Sequence, residues 1–299
     1  MALTINHNLM AATAARNLNN SYNALSTSTN RLSSGLRINS SADDAAGMAV
    51  SELMKADVAS LNQGVRNAND AISMIQTADG ALSVIDEKLV RMKELAEQAA
   101  TGTYTSDQRL IIDSEYQAMA SEITRIANAT DFNGIYLLNG NLSASTHNGS
   151  GLTSTGKLKV HFGCGNSSAE DYYYIQIGCS TASAFGLGMG AASSTANAGR
   201  SISTQTLAQA ALDKINEAIV SKDKIRASIG ALQNRLENTI SNLEIQAENL
   251  TSAESQITDV DVATEMTNYV RQQILTQSAV AMLSQANSLP KMALSLIQG

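Results

Sequence analysis

The sequence predicts a mainly α fold: a long antiparallel coiled-coil or helical-bundle rod built from both termini, with a small β-hairpin in the middle of the chain. Three observations predict it. Apolar residues recur every seven positions near both ends, as Leu18, Leu25 and Leu32 and as Ile229, Leu236, Leu243, Leu250 and Ile257, which is the spacing of a coiled-coil seam. Aromatic residues make up only 4% of the 299 residues, Trp is absent and Pro occurs once, a composition suited to closely packed long helices. Of the 19 Gly residues, 11 lie between Gly140 and Gly199, so the helix-breaking composition is confined to the middle.

The elements follow in order along the chain. A first helix carries Leu18, Tyr22, Leu25, Thr29, Leu32 and Leu36 in alternating steps of four and three, until Gly35 and the polar run Asn39, Ser40, Ser41 interrupt it. A second carries Leu61, Ala68, Ile75, Leu82, Leu89 and Ala96 in one column and stops near Gly102. A third spans roughly Ser106 to Ala129, with Ser106 as its expected N-cap, and Phe132, Asn133 and Gly134 close it as a turn. Two strands are expected at Lys157 to Phe162 and Tyr172 to Ile177, where β-branched and aromatic residues cluster between Gly and Ser. Helical patterning resumes after Gln205. Beyond Asp259 and Asp261 a last helix carries Leu275, Met282, Leu289 and Leu296 at intervals of seven.

Charge excludes several function classes. A net charge of -7 offers no concentrated basic face for nucleic acid. No apolar run reaches the length of a membrane-spanning helix, and MALTINHNLM lacks the basic and apolar regions of a cleavable secretory signal. The three His residues, His7, His147 and His161, are not spaced as the HExxH of a zinc protease, and neither a phosphate loop nor a nucleophile elbow occurs. No catalytic, cofactor or metal site is expected. No Asp or Glu precedes Asp43 or follows Glu265, so each terminal segment is weakly charged and apolar on one stripe. A thin helical pair buries few residues, and such termini are expected to be labile alone and to order against copies of themselves. An ordinary intramolecular bundle is the alternative.

Longer motifs are also recognisable. RLSSGLRINSSADDAAGMAVSELMKADV (Arg31 to Val58), LNQGVRNANDAISMIQTADGAL (Leu61 to Leu82), LVRMKELAEQAATGTYT (Leu89 to Thr105), ALQNRLENTISNL (Ala231 to Leu243) and ILTQSAVAMLSQANSLPKMALSLI (Ile274 to Ile297) closely resemble bacterial flagellins, subunits of the flagellar filament. The resemblance covers both ends of the chain in the family's order. It implies an inner-tube helix pair at residues 1–42 and 256–299, a helical rod at 43–140 and 199–255, and a variable surface-exposed region with a small β-hairpin at 141–198. It also implies self-assembly into a helical homopolymer outside the cell, with unfolded export through the flagellar type III apparatus. The implied partners are a cytoplasmic chaperone on the C-terminal helix, a cap complex at the tip and hook-junction proteins. A hook–filament junction protein, which shares the terminal helices, is the alternative identity.

Candidate site residues divide into four sets. Leu18, Leu25, Leu32, Leu275, Met282, Leu289 and Leu296 are expected at subunit-packing helices, and Leu61, Ile75, Leu82, Leu89, Ile229, Leu236, Leu243 and Leu250 in the coiled coil within one subunit. Arg91, Leu95 and Gln98 fall at i, i+4 and i+7 on one helix face, with Glu115 expected beside them from the next helix. In flagellins the matching Arg, Leu and Glu positions contact Toll-like receptor 5 of animal hosts, so the resemblance implies the same contact here. Lateral packing is the other reading of that face. Cys164 and Cys179, the only two Cys residues, are either a disulfide or two thiols. Ser143, Ser145, Thr146, Ser150, Thr153, Ser154 and Ser193 are candidate O-glycosylation sites by the same resemblance.

Overall fold

Helix boundaries fall where the chain supplies caps. The computed structural model describes residues 8–143, 156–167, 170–187 and 199–298, from 289 onward by backbone alone. Helix α1 (Leu9–Ser34) opens on Asn8, whose side-chain oxygen accepts from the Ala11 amide, and closes on Gly35 at a left-handed φ of 74°. Helix α2 (Ala45–Ala100) is followed by α3 (Ser106–Ala129). The N-cap of α3 is Thr105 rather than the expected Ser106. Its hydroxyl accepts from the Gln108 amide while the Gln108 side chain reaches back to the Thr105 amide, the reciprocal arrangement of a capping box.

Two short hairpins come next. Strands β1 (Asp131–Phe132) and β2 (Ile135–Tyr136) pair antiparallel around Asn133 and Gly134, which take φ of 52° and 79°. Positive φ at both central residues is the two-residue hairpin turn, so the expected Phe-Asn-Gly turn carries a small ladder. Strands β3 (Leu158–His161) and β4 (Tyr172–Ile175) form the expected hairpin, each shorter than the sequence suggested, with Leu158 opposite Ile175 and His161 opposite Tyr172. Helices α4 (Gln205–Thr258) and α5 (Val262–Gln298) complete the fold, which is mainly α as expected.

The chain divides into two compact units, Met1–Val58 with Glu248–Gly299, and Ala59–Ala247. In the first, α1 runs antiparallel to α5. The Asn8 side-chain amide donates to the Ala286 carbonyl at 2.9 Å near one end. At the other, the Arg37 amide donates to the Thr258 carbonyl at 2.6 Å, and the Val260 amide to the Gly35 carbonyl at 3.0 Å. Between these ends α1 turns inward Ala11, Ala14, Leu18, Ser21, Leu25, Ser28 and Leu32, in regular steps of three and four. Most of these are only half-buried, because one pair of helices covers little of its own surface.

In the second unit the core is complete. Leu61, Ala68, Ile75, Leu82, Leu89 and Ala96 of α2 are buried together with Gly64, Ala71, Ala78, Ile85, Met92 and Ala99, so a seam with unbroken 3–4 alternation runs down the helix. Facing elements contribute Tyr116, Ala120 and Ile123 from α3 and Ile215, Ile229 and Leu236 from α4. The β3–β4 hairpin is held against α2 by a close backbone approach. A Cβ placed on Gly64 would lie 2.0 Å from the Phe162 carbonyl oxygen, and three residues on, the Asn67 side-chain amide donates to the His161 carbonyl at 2.8 Å. Tyr173 then sits between Phe162, with ring centroids 4.6 Å apart, and the Arg235 guanidinium 3.7 Å above its ring.

Two glycines of α2 test this packing in opposite directions. Gly64→Ala must push the hairpin away and is expected to lower stability by about 1–3 kcal/mol. Gly80, where an added methyl would meet nothing within 4 Å, should gain about 0.5–1 kcal/mol on substitution by Ala. Chemical denaturation of both variants against wild type checks the pair.

Candidate assembly and receptor surfaces

Helix α5 distributes its residues in an unusual way. Its inward stripe is Glu265, Tyr269, Gln272, Thr276, Ala279, Leu283 and Ala286, all buried or half-buried and largely polar or small. Its outward faces carry Val262, Met266, Val270, Ile274, Leu275 and Met282, each exposed, Met282 by 61%. Leu275 and Met282 point away from the intrachain seam, whereas Leu18, Leu25 and Leu32 of α1, expected with them at subunit packing, are half-buried within that seam. Leu289 and Leu296 lie outside the described side chains. Beside the seam, Leu9, Met10, Thr13, Ala14, Asn17, Ala279 and Met282 line an open groove of about 430 Å³. Exposed apolar surface of this extent marks an interaction site.

The coiled-coil set is placed differently. Leu61, Ile75, Leu82, Leu89, Ile229, Leu236 and Leu243 are all buried, and Leu250, in the first unit, is half-buried. Beside this seam lie two ion pairs that hydrophobic periodicity could not show. Lys222 is 2% exposed, with its Nζ 2.5 Å from Asp86 Oδ1 and 2.8 Å from Asp223 Oδ1. One helical turn on, Arg226 grips Asp79 through two bonds of 2.7 and 3.1 Å. The signal was present in the sequence as carboxylates seven apart on α2 and cations four apart on α4. Burial disfavours charge on Lys222, but the Asp223 and Asp86 carboxylates outweigh it and hold its pKa above the ordinary 10.5.

The receptor candidates separate. Arg91 donates from Nε and Nη2 to Glu115 Oε1 at 3.0 and 2.7 Å and from Nη1 to Glu94 at 3.0 Å, so Arg91 and Glu115 do meet on the surface. These carboxylates keep its pKa above the usual arginine value. The exposed Gln98 donates to the Tyr104 hydroxyl at 3.0 Å. Leu95 corrects the expectation: it is 1% exposed, because its position falls on the buried seam of α2 and not on the Arg91 face.

In the middle of the chain, Cys164 is exposed and Cys179 half-buried, and the two are not joined to each other. Ser143 is half-buried, its hydroxyl donating to the Gly140 carbonyl at 2.6 Å. Ser145, Thr146, Ser150, Thr153, Ser154, Ser193 and also His7 and His147 lie outside the described residues. Among the described residues no group of His, Cys, Asp and Glu could hold a metal ion, and no helix is long and apolar enough to cross a membrane.

A long helix that leaves Val262, Met266, Val270, Ile274, Leu275 and Met282 exposed while small and polar residues fill much of its inward stripe presents the surface of a self-associating structural protein. Family comparison identifies which. Residues 5–143 match the bacterial flagellin N-terminal helical region and residues 212–297 the bacterial flagellin C-terminal helical region. The chain is similar to the flagellar filament 33 kDa core protein of Treponema phagedenis, with 40% identity over 99% of this chain and 100% of that one. It is 39% identical, over the same shares, to flagellin FlaB2 of Treponema pallidum and to flagellin of Halalkalibacterium halodurans. The chain belongs to the bacterial flagellin family, a family of structural proteins and not of enzymes. It is a structural subunit of the flagellar filament.

The buried lysine yields a pH test. A group whose pKa is raised in the folded state contributes stability fully below its unfolded value and loses it as pH rises through the folded value. The difference in thermal midpoint between wild type and Lys222→Met should therefore be constant from about pH 6 to about pH 9 and shrink only above about 10.5. A difference that changes across the neutral range would contradict this account.

Proposed function

We propose that this flagellin polymerises by burying the outward face of α5, with the adjoining surface of α1, against the same segments of neighbouring copies. The observation that supports this is the spread of apolar residues around α5, which leaves Val262, Met266, Val270, Ile274, Leu275 and Met282 exposed while an inward stripe of largely polar or small residues faces α1. Contacts between different patches on the two sides of a subunit propagate as an open helical array. Residues 1–42 and 256–299 form the inner tube in this reading, 43–140 and 199–255 the surrounding helical layer, and 141–198 the outer variable region. Leu18, Leu25 and Leu32 brace α1 against α5, and Leu275, Met282, Leu289 and Leu296 meet other subunits.

The remaining partners belong to the same proposal. The chain leaves the cell unfolded through the flagellar type III apparatus, with a chaperone covering its C-terminal helix until export, and is placed at the filament tip beneath a cap. The exposed α5 surface supports the need for such a cover, because apolar stripes of this kind associate prematurely. The relatives above are named as filament proteins, so a hook–filament junction role is not better supported. Arg91, Gln98 and Glu115 form the candidate contact with Toll-like receptor 5; Leu95 supports them from within.

Two experiments test this reading. Removing Gln285 to Gly299 should leave a soluble protein that forms no filaments by electron microscopy at concentrations where wild type forms long ones; filaments of the truncated chain would overturn it. For the receptor face, Arg91→Ala monomer should stimulate receptor-bearing cells less than wild type at equal dose, and an equal response would remove that contact.

A further inference from the structure

We propose that Met10 and Met282 are paired sulfoxidation sites through which a hydroperoxide keeps this flagellin from polymerising. The inference rests on the polymerisation reading above. Both thioethers line the groove beside the α1–α5 seam, and they are 50% and 61% exposed. Met74 and Met92, at 2% and 0%, are shielded in the core of the other unit. An oxidant that enters from water therefore meets Met10 and Met282 long before those two.

The chemistry balances without any group from the protein. The sulfur lone pair attacks one oxygen of the hydroperoxide, an S–O bond forms as the O–O bond breaks, and the departing oxygen takes up a proton to leave as water or an alcohol. Sulfur is oxidised by two electrons and the peroxide reduced by two. A flexible apolar side chain becomes a polar one with a strong acceptor oxygen. The groove cannot satisfy it. The Thr13 hydroxyl already donates to the Leu9 carbonyl at 2.7 Å, which leaves Asn17 as the remaining side-chain donor among the described lining residues, for two sulfoxides. Covering the groove with another copy would strand at least one acceptor away from water. The penalty recurs at every subunit of the polymer. Once a subunit is incorporated the same packing closes the groove, so oxidation acts on monomers and spares filaments.

The test uses the full chain and hydrogen peroxide. Monomer is treated, the peroxide is removed, and a thiol reductant reverses disulfides and sulfenic acids at Cys164 and Cys179 before polymerisation is measured. Sulfoxide is expected at Met10 and Met282 and absent from Met74 and Met92 by peptide mass measurement. The critical concentration should rise about tenfold or more. Methionine sulfoxide reductase should restore it. Against a Met266→Leu background, which removes the exposed thioether of α5 outside the groove, a Met10→Leu, Met282→Leu double variant, close in volume and lacking sulfur, should polymerise with or without treatment, whereas the background alone should stay sensitive. Monomer oxidised at both sites that polymerises like the untreated protein would overturn the proposal, as would a double variant inhibited as strongly as wild type. Should the double variant not polymerise untreated, the reductase arm decides: recovery of oxidised wild type supports the sites, and none overturns them. Failure of untreated wild type to form filaments would overturn the polymerisation reading itself, and with it this inference.

Discussion

An α-helix has one inward stripe, and whatever occupies that stripe is withdrawn from every other contact. The two units of this chain use the constraint in opposite ways. In α2 the stripe from Leu61 to Ala99 takes nearly all the large apolar residues, leaving a charged exterior and a closed core. In α5 the stripe takes Glu265, Tyr269, Gln272 and Thr276 beside Ala279, Leu283 and Ala286, and Val262, Met266, Val270, Ile274, Leu275, Val280 and Met282 are left outside. The first arrangement makes a stable body. The second makes a helix whose free energy falls further when something else covers it.

A regular seam also has a weakness, because heptads repeat. Sliding one helix by seven residues brings apolar positions back into register, and little in the hydrophobic pattern opposes the slip. The ion pairs sit where they break that degeneracy. Arg226 on Asp79 and Lys222 on Asp86 are made together at one register only: because the two carboxylates are seven apart on α2, a seven-residue slip keeps at most one of the two interhelical pairs. The β3–β4 hairpin adds a second lock, since Gly64 is the α2 position that admits the Phe162 carbonyl. A chain that must find one pairing among several near-equivalent ones gains specificity from these few contacts more than it gains stability.

Periodicity made the helices legible, and it also set the limit of what could be read. The columns through Ile75, Leu82, Leu89, Ile229 and Leu236 could be assigned inward because apolar and polar faces alternate cleanly there. On α5 the same rule singled out Leu275 and Met282 for subunit packing, and both lie exposed, whereas Leu18, Leu25 and Leu32, grouped with them, lie in the intrachain seam, since periodicity marks an apolar face without saying what covers it. Leu95 was misplaced for a related reason: i, i+4 and i+7 spacing groups Arg91, Leu95 and Gln98, but the buried stripe of α2 is wide enough to claim the middle one. The Thr105 cap was one residue from the expected position because Ser106 has the same chemistry, and only the Gln108 side chain distinguishes them. The ion pairs needed a partner helix to be seen at all.

On the packing proposed above, the exposed apolar residues of α5 also account for the charge pattern of the termini. A carboxylate on its outward face would recur at every subunit of a polymer, and like charges at short spacing in a dry interface repel strongly. Glu265 is the last acidic residue of the chain, and it faces inward at 7% exposure. Beyond it the outward surface carries apolar and uncharged polar side chains with few cations, which repeat without accumulating negative charge. An intramolecular bundle would have no use for that rule, because charged residues on its solvent face raise solubility at little cost. The absence of acids from the exposed side of α5 therefore fits the proposed burial of that side against neighbouring copies better than exposure to solvent.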